Sequence, residues 1–155
     1  MLDDLHRLRP AEIRVAQQLV RGLTNLEIAA ELGTSLATVN GHLGTIGRRF
    51  RVSSRPARAH AVLASGQVSP PAATVTSAVF TEADRRLLSA LAIYDDTYAI
   101  AHAAGIAPAS IRRCIRDLVT KAGANNDTHL IGLAHTWGML LRAEGGGPVV
   151  SGGRR

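Results

Sequence analysis

Residues 23–50, LTNLEIAAELGTSLATVNGHLGTIGRRF, decide the fold that the sequence predicts. Thr24 and Glu27 have the spacing of a capping box, in which a hydroxyl and a carboxylate each accept a backbone N–H, so we expect a helix to begin immediately after the threonine. Gly33 supplies the left-handed residue that ends this short helix, and Ser35 is placed to cap the next one. The stretch therefore predicts two helices joined by a tight turn.

The second of these helices has an apolar side and a polar side. The apolar residues recur at the spacing of one helix face: Val39, Leu43, Ile46 and Phe50. The opposite side carries small and polar residues: Asn40, Gly41, Gly44, Thr45 and Arg48. An amphipathic helix that follows a tight turn in this way is suited to lie in a groove of DNA.

The composition favours a helical protein that binds polyanions. Apolar residues make up 46% of the 155 positions and aromatic residues only 3%, a balance that suits short packed helices better than a β-sandwich. The formal net charge is +6, and Lys121 is the only lysine. Arginine suits bidentate contact with phosphate and guanine, but a GC-rich genome also favours arginine, so only the placement of the arginines is functional evidence.

Other classes of function have little support in the sequence. Cys114 is the only cysteine, which excludes an intrachain disulfide and a thiolate zinc cluster. There is no Ser/His/Asp arrangement, phosphate-binding glycine loop or histidine pair with convincing ligand spacing, so we predict no enzymatic activity, no metal and no cofactor. The polar N-terminus lacks the apolar stretch of a signal peptide, which predicts a cytoplasmic protein without membrane contact.

Further helices are predicted on both sides of the opening stretch, giving a four-helix module over residues 1–66. Residues 67–79 carry no charge and contain two adjacent prolines, which predicts an extended linker. The glycine-rich residues 145–155 are predicted to be a disordered tail. A linker of 13 residues spans at most roughly 43–47 Å, enough to serve two major grooves roughly 34–36 Å apart.

The second half of the sequence repeats the pattern of the first half with a shift of 72 residues and no gap. Ile28 falls on Ile100, and Gly33 falls on Gly105. Because the apolar stripes and the turn glycine are both kept, we predict a second copy of the module over residues 80–144.

Six short motifs follow one another across residues 8–65. They are Leu8-Arg9-Pro10-Ala11-Glu12, Gly22-Leu23-Thr24-Asn25-Leu26-Glu27-Ile28-Ala29, Leu32-Gly33, Thr38-Val39, His42-Leu43 and Val52-Ser53-Ser54-Arg55. In this order they resemble the LuxR/FixJ type of helix-turn-helix domain, found at the DNA-binding end of many bacterial transcriptional regulators. Residues 80–142 resemble that family more distantly. The resemblance implies an all-α fold of two tandem modules and a sequence-specific regulator that binds double-stranded DNA and has no sensor domain.

The resemblance also implies that the second helix of each motif reads the major groove, and that the start of the preceding helix touches phosphate. In the first module it assigns DNA contact to Thr24, Asn25, Thr38, Asn40, His42, Thr45, Arg48 and Arg49. In the second module the candidates are Ser110, Arg112, Arg113, Arg116 and Lys121. By their chemistry, Asn40 can pair with adenine and Arg112 with guanine. Gly41 and Gly44 have no side chains, so the second helix of the first motif offers few groups for contact with bases. The target site is therefore expected to be asymmetric.

The last predicted helix is more apolar than one small module needs. Candidate contacts to a partner are Leu130, Leu133, Trp137, Leu140 and Leu141. In the resembled family the corresponding helix often forms the dimer contact, so we expect it to pack on its own module and on the equivalent helix of the first module or of another chain, as in a homodimer.

Two alternative functions remain open at this point. The first is a protein-interaction module whose second copy binds RNA polymerase, a sigma factor or another regulator. Asp95 and Asp96 favour this alternative, because their carboxylates stand at the end of the module where phosphate is expected. The second is an architectural protein that binds DNA without sequence preference.

Overall fold

The computed structural model describes residues 4–73, 76 and 78–140, and these residues form eight α-helices without a strand. The helices are α1 (Pro10–Leu19), α2 (Asn25–Leu32), α3 (Leu36–Phe50), α4 (Arg55–Ala64), α5 (Glu82–Ile93), α6 (Thr97–Ala104), α7 (Ile111–Ala122) and α8 (Asp127–Thr136). Short 3₁₀ turns cover Asp4–His6 and Pro108–Ser110. The predicted all-α fold class is confirmed. None of the helices in the described ranges is long and apolar enough to cross a membrane. Leu141 and the tail expected at 145–155 lie outside the described residues.

The helix ends of the opening stretch follow from local capping. The Thr24 hydroxyl accepts the Glu27 N–H at 3.2 Å, and the Glu27 carboxylate accepts the Thr24 N–H at 2.8 Å, so the predicted capping box is confirmed. Gly33 ends α2 with φ of 65°, a conformation that costs glycine nothing. Ser35 caps α3 by accepting the Thr38 N–H at 3.1 Å.

The helix boundaries of the two halves follow the 72-residue shift. Helices α2 and α6 begin at residues 25 and 97, and helices α4 and α8 begin at residues 55 and 127. Helix α3 corresponds to the second 3₁₀ turn followed by α7, which together run over 108–122. Both halves therefore have the same order and the same lengths of helices from α2 and α6 onward.

An ion pair also recurs with this shift. In the first half, Arg49 on α3 lies 3.3 Å from the buried carboxylate of Glu12 on α1. In the second half, Lys121 on α7 lies 2.6 Å from Asp84 on α5. Each acid also accepts a backbone N–H at the start of its own helix. Burial of Asp84 opposes its ionisation, but the hydrogen bonds from Lys121 and Thr81 outweigh that effect and lower the pKa of Asp84.

The two halves share one hydrophobic core, in which α4 packs against both α5 and α8. Gly132 on α8 shows how closely they approach, because a Cβ atom placed there would overlap the Val20 carbonyl oxygen and lie 2.9 Å from Pro71 Cγ. A Cβ on Gly22 would lie 2.6 Å from the Cβ of His129. Burial of each large aliphatic side chain in such a core contributes about 1.5–3 kcal/mol, so the shared core favours a fixed arrangement of the halves.

The described C-terminal side chains that were predicted to contact a partner pack against other residues of the same chain. Leu130, Leu133 and Leu140 are 1%, 4% and 9% exposed, and the ring of Trp137 lies 5.8 Å from that of Phe80. The neighbour of α8 across the chain is α4, the equivalent helix of the first half. Of the two partners left open for this helix, the equivalent helix of the first half is the one that it contacts in this chain, and a homodimer through it stays a prediction.

The described part of the predicted linker lies against the helices. The Gln67 side chain donates to the His6 carbonyl and accepts the Leu8 N–H, both at 2.7 Å. The Thr136 hydroxyl donates to the Pro71 carbonyl at 2.6 Å, and Pro71 is buried. The separation of the two halves is therefore set by the packing between them and not by the reach of a free linker.

Candidate nucleic-acid interface

Helix α3 buries its apolar stripe and turns its polar side outward. Val39 and Ile46 are fully buried, and Leu43 is 3% exposed. Of the predicted contact residues on this helix, Thr38, Asn40 and Arg48 are exposed, and His42 and Thr45 are half-buried. From residue 32 to residue 81 the sequence contains five arginines and no acidic residue. The surroundings of this face therefore attract a polyanion.

A side-chain network holds Asn40 in place. The Asn25 amide donates to Asn40 Oδ1 at 2.8 Å, and Asn25 Oδ1 accepts from Arg55 Nη1. The other arm of Arg55 donates to the Leu23 carbonyl at 2.6 Å. With its oxygen engaged, Asn40 has its amide NH₂ group to offer to an acceptor such as adenine N7. The sequence motifs contained Arg55, but no sequence signal indicated that it orients Asn40 through Asn25.

Thr45 and Arg48 form a second polar group on α3. The Thr45 hydroxyl donates to the Gly41 carbonyl at 3.1 Å and accepts from Arg48 Nη2 at 3.1 Å. A Cβ on Gly41 would meet nothing within 4 Å, and a Cβ on Gly44 would meet only the flexible Arg48 side chain at 3.4 Å. Packing within the chain therefore does not require glycine at either position.

Four of the predicted contact residues have structural roles in the chain. Arg49 and Lys121 form the two equivalent ion pairs, with 23% and 34% of their side chains exposed. Thr24 caps α2, and the Thr38 hydroxyl accepts from Ser35 Oγ at 2.9 Å. Arg49 and Lys121 hold α3 and α7 against the first helix of their own half, which weakens their assignment as phosphate contacts.

Helix α7 carries the more basic outward face. Arg112, Arg113 and Arg116 are all exposed, and none of them forms an ion pair with another described residue. Ser110 closes the 3₁₀ turn that precedes the helix. Because Arg112 and Arg116 are one turn apart, their guanidinium groups can reach neighbouring acceptors on one ligand.

Asp95 has a role that the sequence did not indicate. Its carboxylate accepts the Ser53 N–H, the Ser54 N–H and the Ser53 hydroxyl, each at 3.0 Å. The Ser54 N–H contributes most to lowering the pKa of Asp95. Asp96 caps α6 by accepting the Ala99 N–H at 2.8 Å. Asp95 thus joins the second half to the start of α4, across a sequence separation that no local motif reveals.

The geometry of the first half defines a class of protein, because a capped helix-turn-helix with an exposed, acid-free second helix is a DNA-binding arrangement. Residues 6–62 match the GerE family model, described as bacterial regulatory proteins of the luxR family. The predicted resemblance is thereby confirmed for the first module, and the match supports a DNA-binding transcription regulator at this coarse level. The second half lies outside the match. No curated protein and no solved structure matched the chain.

Proposed function

We propose that the protein is a sequence-specific, DNA-binding transcriptional regulator of bacterial type, with tandem modules over residues 1–66 and 80–144. The observation that carries the proposal is the family match over 6–62 on a domain whose α3 face is exposed and free of acidic residues. The recurrence of helix boundaries and of an ion pair with a 72-residue shift supports the second module. A regulator of chromosomal DNA acts in the cytoplasm, and we place the protein there on that ground.

In this proposal the two modules read different bases. Asn40 and Thr45 on α3 contact base edges, and Arg48 contacts phosphate. On α7, Arg112 and Arg116 contact guanine or adjacent phosphates. Because the two helices present different side chains, the preferred site is asymmetric. One chain bound as a monomer supplies both reading helices, since α8 takes the place beside α4 that a second chain would otherwise fill.

A second candidate function is supported by a different surface. Ile93, Tyr94 and Tyr98 are 56%, 43% and 74% exposed, and they lie at the end of α5 and the start of α6. Exposed aromatic and aliphatic side chains of this kind favour contact with another protein. Under this alternative the second half binds RNA polymerase, a sigma factor or another regulator, and only the first half reads DNA.

Selection of bound sequences from random double-stranded DNA, followed by anisotropy titration, tests the proposal. We expect one asymmetric site that is longer than a single module covers. For each phosphate that the protein contacts, the logarithm of the association constant should fall by about 0.9 when the salt concentration rises tenfold. Enrichment of no sequence over random DNA would contradict a sequence-specific regulator.

Replacing Arg116 tests the contribution of the second half. We expect Arg116→Ala to weaken binding to the selected site by about 1–3 kcal/mol, roughly 5- to 150-fold, if a base is read. Arg85→Ala, which removes an exposed arginine from α5, is the matched control and should leave affinity within about twofold. Unchanged affinity in the Arg116 variant would favour the protein-binding alternative for the second half.

A further inference from the structure

We propose that the second half contains a binding cleft for a small amphiphilic anion, a carboxylic acid with an apolar body. The cleft lies beside α7, has a volume of about 630 Å³ and is open to solvent. The first half fills the equivalent place with one of its own side chains.

In the first half, Arg55 at the start of α4 closes the space between α2 and α3. Its guanidinium donates to Asn25 Oδ1 and to the Leu23 carbonyl, and Asn25 in turn donates to Asn40. Leu43 on α3 is only 3% exposed. A long side chain with five donors thus joins the start of α4 to α2 and, through Asn25, to α3 in this half.

In the second half, the 72-residue shift replaces these sealing groups. Asp127 stands in the place of Arg55, Thr97 in that of Asn25, and Arg112 in that of Asn40. Asp127 is too short to cross the space that Arg55 crosses, and no ion pair joins it to Arg112 within the described residues. All three replacement residues line the cleft.

The cleft has an apolar floor. Leu91, Ile100, Ile115 and Val119 line it. Ile115 is half-buried, whereas the equivalent Leu43 in the first half is almost fully buried. Apolar surface that is exposed in a concave site is the usual lining of a small-molecule pocket.

The charges at the rim select an anionic head group. Arg112 and Arg116 lie along one edge, and their planar donors match a carboxylate. The lining also contains two acids, and both have partners elsewhere. Asp95 accepts hydrogen bonds from Ser53 and Ser54, and Asp127 accepts one from the Thr128 hydroxyl at 3.3 Å and interacts with the charge of Arg55. Arg112 and Arg116 form no ion pair within the described residues, so their donors favour a ligand that presents a carboxylate to α7 and an apolar chain to the floor.

Such a ligand would act as an effector, a consequence that rests on the proposed function. Arg112 and Arg116 are proposed to contact both the ligand and DNA. Occupation of the cleft would engage their donors, so ligand and DNA would compete. Binding of the ligand itself does not depend on DNA binding, and the two can be measured separately.

The direct test is titration of the full chain with octanoate, followed by ¹H–¹⁵N NMR. We expect saturable shifts of amides near Leu91, Ile115 and Asp127, with a dissociation constant of roughly 1 mM or tighter. Octylamine has the same chain and the opposite charge, so it should bind at least about tenfold more weakly. Absence of saturable shifts with octanoate, or equal binding of octylamine, would overturn the proposal.

Two substitutions at residue 127 separate the effect of filling the cleft from the effect of changing its charge. Asp127→Arg restores the side chain that seals the first half and should abolish octanoate binding although it adds positive charge. Asp127→Ala leaves the cleft open and should retain binding. Ile115→Trp fills the floor by another route and should also abolish binding, should the arginine variant fail to fold by circular dichroism. Retained binding in a folded, filled variant would place the octanoate elsewhere and overturn the proposal.

The effector role is tested by measuring affinity for the selected DNA site with and without octanoate. Competition that disappears in Asp127→Arg, but persists in the surface control Arg85→Ala, supports an effector role. A chain that binds octanoate in the cleft but no specific DNA would refute the proposed regulator and leave the cleft established.

Discussion

Gly41 is a residue at which helix stability and recognition can be separated. A Cβ there would meet nothing within 4 Å, and alanine is favoured over glycine inside a helix by about 0.5–1 kcal/mol. We therefore expect Gly41→Ala to raise the free energy of unfolding in urea by about that amount. Anisotropy with the selected DNA then reports on the approach of α3. Weaker binding of this more stable variant indicates that the helix backbone lies close to the bases.

Gly47 provides the opposite control on the same helix. A Cβ there would lie 2.7 Å from the Val52 carbonyl oxygen and 2.8 Å from the Arg58 side chain. We expect Gly47→Ala to lower the free energy of unfolding by about 1–3 kcal/mol, because the neighbouring backbone has to shift. Equal effects of the two alanines in urea unfolding would contradict the packing of α3 on α4.

The histidine pair between the halves predicts a dependence of stability on pH. His60 Nδ1 lies 2.9 Å from His135 Nε2, so one ring must donate and the other accept. Burial lowers the pKa of both rings, to about 4 for His135, where the charge of His60 adds to the effect. Between pH 6.5 and pH 4 the unfolded chain therefore binds more protons than the folded chain.

Stability should consequently fall as the pH is lowered through that window. We expect a loss on the order of 2–3 kcal/mol between pH 7.5 and pH 4.5 from this pair. His135→Gln should remove most of the dependence in urea unfolding, whereas replacement of the exposed His102 should leave it intact. An identical pH profile for wild type and His135→Gln would refute the assignment.

At this scale the sequence predicted the caps and missed the partners of charged groups. Thr24 and Ser35 cap the helices that were expected to begin beside them, because a cap depends on residues only three apart. Arg49 was expected at phosphate, yet it pairs with Glu12 on another helix. The 72-residue shift places Glu12 on Asp84 and Arg49 on Lys121, so the repeat itself contained the signal that both basic residues have an acidic partner.

The connection between α5 and α6 is hydrogen-bonded to the start of α4 through Asp95, and this contact is called the Asp95 clamp below. Asp95→Ala removes an acceptor of three hydrogen bonds. Because this carboxylate is exposed, we expect a loss of only about 1 kcal/mol in the free energy of unfolding at pH 7. Its lowered pKa means that the contribution is present above about pH 4 and is lost as the pH falls below that value.

The matched control for this clamp is Asp117→Ala, which removes an exposed acid from α7. Its unfolding at pH 7 should stay within about 0.5 kcal/mol of wild type. A loss in Asp117→Ala as large as that in Asp95→Ala would show a general charge effect in place of a clamp.

At the scale of elements, periodicity and caps were sufficient for the helices and insufficient for the connections between them. Helices α3 and α7 follow from apolar stripes and turn glycines. The linker looked like a free spacer because it lacks charge and contains prolines. It is instead anchored through Gln67 and Pro71. Their partners lie in distant parts of the chain, and such contacts produce no periodic pattern in the sequence.

For the whole molecule, the packing of α8 on the first half is the feature that joins the two halves. Gly132→Ala should lower the free energy of unfolding by more than about 2 kcal/mol, because the added Cβ overlaps the Val20 carbonyl oxygen. Gly41→Ala, an added methyl group in open space, is the control. Wild-type protein should elute as a monomer in size-exclusion chromatography with light scattering. A stable Gly132→Ala variant would show that the halves are not held together at this point.

Composition and the internal repeat predicted the fold class, but they did not predict how the halves meet. His60 with His135, Asp95 with Ser53, and Gly132 with Val20 are contacts between residues far apart in the chain. Each depends on the assembled core, and none of them repeats a pattern with a period that the sequence displays. The sequence left two partners open for the last helix, the equivalent helix of the first module or that of another chain, and the structure shows its packing on α4 of the first half.

The pairing of α4 with α8 in one polypeptide has a consequence for gene dosage. When a DNA-binding dimer assembles from separate chains, the dimer concentration falls with the square of the chain concentration once that concentration is well below the dimer dissociation constant. A reader already joined in one chain has no such step, and its second module engages at a high effective concentration. Under the proposed function, promoter occupancy would rise in direct proportion to the first copies synthesised, without a threshold.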